Sequence, residues 1–214
     1  MKKKIERNIR LARIVIYKET LVDFKEHWWT FVGSFTGISL IGLMNSTFLE
    51  LKDNLFLIGS FGASSVLLYG VINSPLAQPR NVIGGHLLSA IIGVTITKFS
   101  PLPLWFNAGL AVSVSIVVMQ ITKTLHPPGG ATALIAVIGS NPIKELGYFY
   151  IISPITTGIV ILLVVALIAN NITSKRSYPT NKHWYKLWRK RYLRGSKKQW
   201  KAEPIPNPHL KTNL

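Results

Sequence analysis

The string best equipped for chemistry is Leu125-His126-Pro127-Pro128-Gly129-Gly130-Ala131-Thr132-Ala133-Leu134. Two prolines ahead of a run of small residues read as a helix start, because proline is tolerated in the first turn, where amide donors have no partner. Beyond them, the amides of Gly129, Gly130 and Ala131 are expected to point outward, with no glycine side chain to obstruct a ligand. Exposed amides at the positive end of a helix dipole make a site for anions. Thr132 adds a hydroxyl, and His126 adds a donor whose charge follows local pH. The plainer alternative is a capped interfacial turn, with His126 bonded to a carbonyl.

A second block carries Arg80, a helix start over 81–85 and His86 one turn further on. Arginine at a membrane boundary snorkels to water, where it either draws anions by its field or anchors the chain. His86 lies deeper, and an ionisable group within a span is a functional candidate by default. Gly62, Ser64 and Ser65 form a third set of small polar residues, suited either to lining a path or to close helix packing. Enzyme chemistry has little to draw on. Cysteine is absent and no carboxylate lies inside an apolar run, so thiolate, carboxylate-base and carboxylate-metal sites are not expected. Two histidines make a thin metal set, and nothing asks for a cofactor.

The elements that must hold these residues are apolar and long. Of 214 residues 48% are hydrophobic and only 15% charged, below the roughly 25% usual in soluble domains. Of the 25 Lys and Arg, 8 precede Trp28 and 12 follow Asn170, so the net charge of +17 belongs to the two ends of an oily body. Apolar runs cover 28–48, 55–72, 82–99, 104–121 and 148–169, the last with Pro154 and Gly158 as kink sites. A sixth run, 129–140, is short: a dozen residues reach about 18 Å against a hydrocarbon core of about 30 Å. It must be a half-helix, a re-entrant segment or a span completed by irregular backbone, which survives at membrane depth only inside protein or beside a wet cavity.

The expected fold is thus an all-α integral membrane protein of about six transmembrane segments, one of them a half-helix. An even count puts both tails on one side, and their charge makes that side cytoplasmic in a cell membrane. Arg80 and Lys123 then face inward; Lys52, Lys98 and Lys144 face outward. Gly62-Ala63-Ser64-Ser65-Val66-Leu67 resembles Gly130-Ala131-Thr132-Ala133-Leu134-Ile135, 68 positions later, which suggests a 3+3 inverted repeat.

The chain divides into a basic amphipathic tail (1–27), a transmembrane domain (28–171) and a basic, aromatic tail (172–214) with an irregular end. Ile5, Ile9, Ala12 and Ile16 share one helical face, and Trp184, Leu187, Trp188 and Arg191 recur at helical spacing. Both tails suit anionic lipid at a membrane surface rather than nucleic acid. So few small helices leave little room for a pore in one copy, which favours a homo-oligomer.

The string from His126 to Leu134 resembles the signature of the HPP family of integral membrane proteins, named for that tripeptide. Residues 61–68 and 75–86 resemble its other blocks, and the likeness covers 28–171. Members from chloroplasts and cyanobacteria are regarded as nitrite transporters, so the resemblance implies a path for a small inorganic anion such as nitrite. The competing readings are an intramembrane enzyme and a membrane anchor or sensor whose basic tails recruit a partner.

Overall fold

The computed structural model describes residues 24–48 and 58–180, and the described residues form helices and connections with no strand. Helix α1 is Phe24–Phe48. Helix α2, Gly59–Ser65, continues as a π-helical turn, Val66–Gly70. A 3-10 turn at Pro75–Ala77 leads into α3, Pro79–Phe99, followed by α4, Leu104–Thr122. Helix α5 is Pro127–Ile138 and α6 is Asn141–Glu145. A second π-helical stretch, Ile151–Thr156, precedes α7, Thr157–Ala169. Among the described residues three segments are long and apolar enough to cross a membrane: Pro79–Phe99, Leu104–Thr122 and Ile151–Ala169. Helix α1, with 25 residues, reaches about 37 Å at 1.5 Å per residue.

Local chemistry explains the boundaries. Pro79 opens α3 at a position where its missing amide hydrogen costs nothing, and Lys98 in the last turn complements the dipole. Helix α4 ends in a Schellman motif. Lys123 takes left-handed φ of 57°, its amide donates to Gln120 O at 3.2 Å, and the Thr124 amide donates to Met119 O at 2.8 Å. Arg80 Nη2 then donates to Thr122 O at 2.7 Å and Asn81 Nδ2 to Leu125 O at 2.8 Å. Two side chains of the first turn of α3 thereby fix the connection that carries His126.

Small residues let α3 and α5 approach closely. Gly85, Ser89 and Gly93 recur every fourth position along α3, and all three are buried. A Cβ on Gly93 would stand 2.6 Å from Ala133 O, and one on Gly85 would stand 2.5 Å from His126 Cβ. Such contacts drive association where lipid removes the hydrophobic incentive between helices. The core beside them gathers Phe61, Leu68, Tyr69, Val82, Ile155 and Leu162. The outside is apolar too: Trp105, Val117, Ile121 and Ile168 are exposed, as a hydrocarbon solvent requires.

Several expectations change. The run 55–72 is not a full span, because Ile58 is extended (φ −76°, ψ 141°) and helix begins only at Gly59. It ends at Gly70, so helical residues 59–70 make a second half-helix of the same length as α5. The first long helix is already formed at Phe24, ahead of the run from Trp28. The last helix does break at the kink site expected of Pro154, at Ser153 (φ −135°, ψ 118°). Gly158 serves packing, since Phe61 lies where its Cβ would be.

Residues 172–180, assigned by composition to the tail, are fastened to the body. Arg176 pairs with Glu26 and donates to Glu26 O (2.7 Å), Thr30 Oγ1 (2.6 Å) and Asn170 Oδ1 (3.0 Å). Tyr178 is buried, with its hydroxyl on Ala77 O at 2.7 Å. The amphipathic patterns of the tails (5–16 and 184–191) and Lys52 lie outside the described residues.

The repeat has a structural counterpart. The half-helices 59–70 and 127–138 start and end 68 positions apart. Each is followed by a short helical turn, Pro75–Ala77 or Asn141–Glu145, and then by a long helical segment.

Candidate functional site

The two half-helices touch each other, and α5 packs along α3. Helix α2 reaches α3 through Ser64 and Phe61 at His86, and the polar residues of both half-helices converge there. Ser64 and Thr132 are each the sixth residue of their half-helix, 68 positions apart, and both are fully buried. One imidazole bridges them: His86 Nε2 lies 2.8 Å from Ser64 Oγ and His86 Nδ1 lies 2.7 Å from Thr132 Oγ1. Ser64 Oγ is also 3.0 Å from His126 Nε2, and His126 Nδ1 is 2.8 Å from Leu76 O. Both histidines are inaccessible to solvent, with ring centroids 5.0 Å apart, and Phe61 stacks obliquely on His86.

The bonding fixes the direction of each hydrogen bond for neutral rings. Leu76 O can only accept, so His126 carries its proton on Nδ1 and presents a bare Nε2. The Ser64 hydroxyl therefore donates to His126, which leaves its oxygen to accept from His86 Nε2–H. His86 Nδ1 is then bare and accepts from the Thr132 hydroxyl. Four side chains form one chain of bonds running from Thr132 to Leu76 O. Tyr150 adjoins it, its hydroxyl donating to Thr132 O at 3.3 Å.

The helix start differs from the expectation of free amides. Pro127 and Pro128 have no N–H to offer, and the Gly129 amide donates to His126 O at 2.8 Å. Gly129 serves packing, because a Cβ there would meet Gly85 O at 2.7 Å. Gly130 and Ala131 lie inside the helical ladder. Gly62 is exposed, and a Cβ there would have nothing within 4 Å, so it faces away from the cluster. Arg80 is held at the end of α4 through Thr122 O and does not join the cluster. Of the ten sequence candidates, His126, Thr132, Ser64 and His86 are brought together by hydrogen bonds.

Among the described residues three buried hydroxyls have no hydrogen-bond partner: Ser60, Ser65 and Ser115. An unsatisfied buried hydroxyl costs about 1–3 kcal/mol, so each asks for an explanation. Other hydroxyls in these helices bond the carbonyl four residues back, as Thr95, Thr97 and Thr122 do. Ser60 lies one turn before Ser64, and Ser115 lies on the buried α4 stripe between Ala111 and Met119. Sequence reasoning missed Ser60, Ser115 and Tyr150. The spacing of Ser60 to Ser64 was a readable signal, whereas nothing set Ser115 apart from its neighbour Ser113. Among the described residues no three His, Cys, Asp or Glu side chains gather as metal ligands.

Residues 19–179 match the transmembrane region of the HPP family. Two proteins of Dictyostelium discoideum, each named a transmembrane protein, are 45% and 42% identical over 76% and 73% of this chain. The matches cover 57% and 51% of those relatives, so the chain spans about half the length of the curated proteins it matches. No solved structure matches. The matched span agrees with the body held between Glu26 and Tyr178, and the chain is a membrane protein of the HPP transmembrane family.

Proposed function

We propose that this domain passes a small inorganic anion across the membrane, with nitrite the first to test. The observation that carries the reading is the set of buried, unpartnered hydroxyls, Ser60, Ser65 and Ser115, beside two half-helices that meet at a neutral polar cluster. An anion crossing lipid must exchange its water for donors that release it again. Neutral hydroxyls suit that task better than a buried guanidinium, which would hold the ion too firmly. The half-helices supply the setting, since broken helices at mid-depth are where transporters place their sites. The donors in this account are the unpartnered hydroxyls, in place of the Gly129 amide; the imidazole N–H groups are held by Leu76 O and Ser64.

The same reading has six segments, four long helices and two half-helices, with both chain ends on the cytoplasmic side of a cell membrane. Two three-segment units then lie in opposite orientations. Copies associate through the exposed apolar helix faces, and the basic tails rest on anionic lipid.

The test is uptake of labelled nitrite, with nitrate, chloride and formate as competitors, into vesicles holding the pure protein. Protein-free vesicles give the leak of nitrous acid. Saturable nitrite uptake above that leak, lowered by replacing Ser60 and Ser115 with alanine, is the expected result. Uptake of every anion at the protein-free rate would end the transport reading.

A further inference from the structure

Thr132 has two acceptors within reach. Its hydroxyl lies 2.7 Å from His86 Nδ1 and 3.3 Å from Pro128 O. With His86 neutral, the hydroxyl donates to Nδ1. With His86 protonated, Nδ1–H donates to the Thr132 oxygen and the hydroxyl turns to Pro128 O. Nε2–H still donates to Ser64, and Ser64 still donates to His126. The cation is fully bonded after one hydroxyl rotation.

The other ring can also hold the proton with every hydrogen bond satisfied. His126 as the cation donates from Nδ1 to Leu76 O and from Nε2 to Ser64 Oγ. Ser64 then donates to His86 Nε2, His86 Nδ1–H donates to Thr132, and Thr132 donates to Pro128 O. The two cations interconvert as Ser64 accepts a proton from one ring and gives its own to the other. No atom but hydrogen need move. A second proton has no place: Ser64 would accept from both rings, its own hydrogen would lose its acceptor, and two like charges would stand on rings 5.0 Å apart.

We infer that the His86–Ser64–His126 chain is a one-proton carrier and that the anion crosses together with a proton. The inference rests on the anion-passage reading and names its coupling ion. Charge supplies the reason. A bare anion entering a cell works against the inside-negative potential, whereas an anion that crosses together with one proton, handed on through the imidazoles, carries no net charge. The groups facing His86 agree with a single mobile charge. From the segment before α5 comes His126, from α5 comes Thr132 with Tyr150 behind its carbonyl, from α2 come Ser64 and Phe61, and Ser89 of α3 itself bonds Met119 of α4. The cations of α3, Arg80 and Lys98, lie in its first and last turns. No described carboxylate bonds to the cluster; Glu26 is held by Arg176 and Glu145 is exposed on α6.

The experiment uses vesicles with the full chain and a pH-sensitive dye inside. An inward nitrite gradient is imposed, with potential clamped by potassium and valinomycin. Exchange of labelled for unlabelled nitrite is measured in parallel, because exchange needs no proton to leave the carrier. The expected result is one proton entering per nitrite above the protein-free leak. In Ser64→Ala the ratio of proton-linked net flux to exchange should fall by roughly 10²-fold, the scale on which losing a positioned proton donor slows a step. Thr132→Val, equal in shape but without the hydroxyl, gives the same readout if Ser64→Ala folds poorly. Net nitrite entry without acidification overturns the proton carrier and leaves anion passage standing. A wild-type ratio in both variants also overturns it. Absence of nitrite exchange in the wild type overturns both readings.

Discussion

Adjacent glycines in the signature string should respond oppositely to the same substitution. In Gly129→Ala the new methyl stands 2.7 Å from Gly85 O, 2.9 Å from Gly85 C and 3.0 Å from Met119 Sδ. The sulfur can swing away, but the two backbone atoms belong to the regular ladder of α3 and cannot. Overpacking of this kind costs about 1–3 kcal/mol. In Gly130→Ala the nearest atom is Val112 Cγ1 at 3.8 Å, an ordinary contact. Both variants gain about 1 kcal/mol of helix propensity, which cancels between them. The difference is therefore the strain alone, roughly 1–3 kcal/mol. At about 2–4 °C per kcal/mol for a chain of this size, Gly130→Ala should melt roughly 2–12 °C above Gly129→Ala. Melting of detergent-solubilised protein, followed by tryptophan fluorescence and by size-exclusion recovery, measures it. If Gly129→Ala melts at or above Gly130→Ala, the close approach of α3 and α5 is not what Gly129 is for.

The clamp between α1 and the segment after α7 gives a second prediction. Arg176→Met leaves Glu26 without its cation and should cost about 3 kcal/mol, whereas Glu26→Gln with Arg176→Met together should cost less than the sum of the singles. Thermal melts of the four proteins check the cycle, and strict additivity would refute the pairing. A third concerns the body's limit. A chain ending at Thr180 should keep the wild-type melting temperature, while one ending at Asn171 loses Arg176 and Tyr178 and should elute as aggregate. Equal behaviour of the two truncations would show that residues 172–180 do not fasten the fold.

Hydrophobic length is a local property, so the sequence alone determined the membrane class, the order of the helices and the shortness of the run at 129–140, whose helix the fold places at Pro127–Ile138. The repeat offset was legible for the same reason: four small residues followed by two branched apolar ones recur 68 positions apart, and the half-helices keep that offset at both ends. The family signature followed from the same local strings. What the two prolines and two glycines do was not legible. Proline at a helix start reads alike whether the next amide meets an anion or the preceding carbonyl, and only the fold assigns Gly129 N to His126 O. Arg80 likewise reads as a boundary charge until α4 brings Thr122 O beside it. The cluster depends on bonds between residues 22, 46 and 62 positions apart. Such pairings are set by the rotation of each helix about its axis and by the backbone contact that glycine permits. Composition names Ser64, His86, His126 and Thr132 as candidates; the packing of two half-helices against α3 makes them one chain of hydrogen bonds.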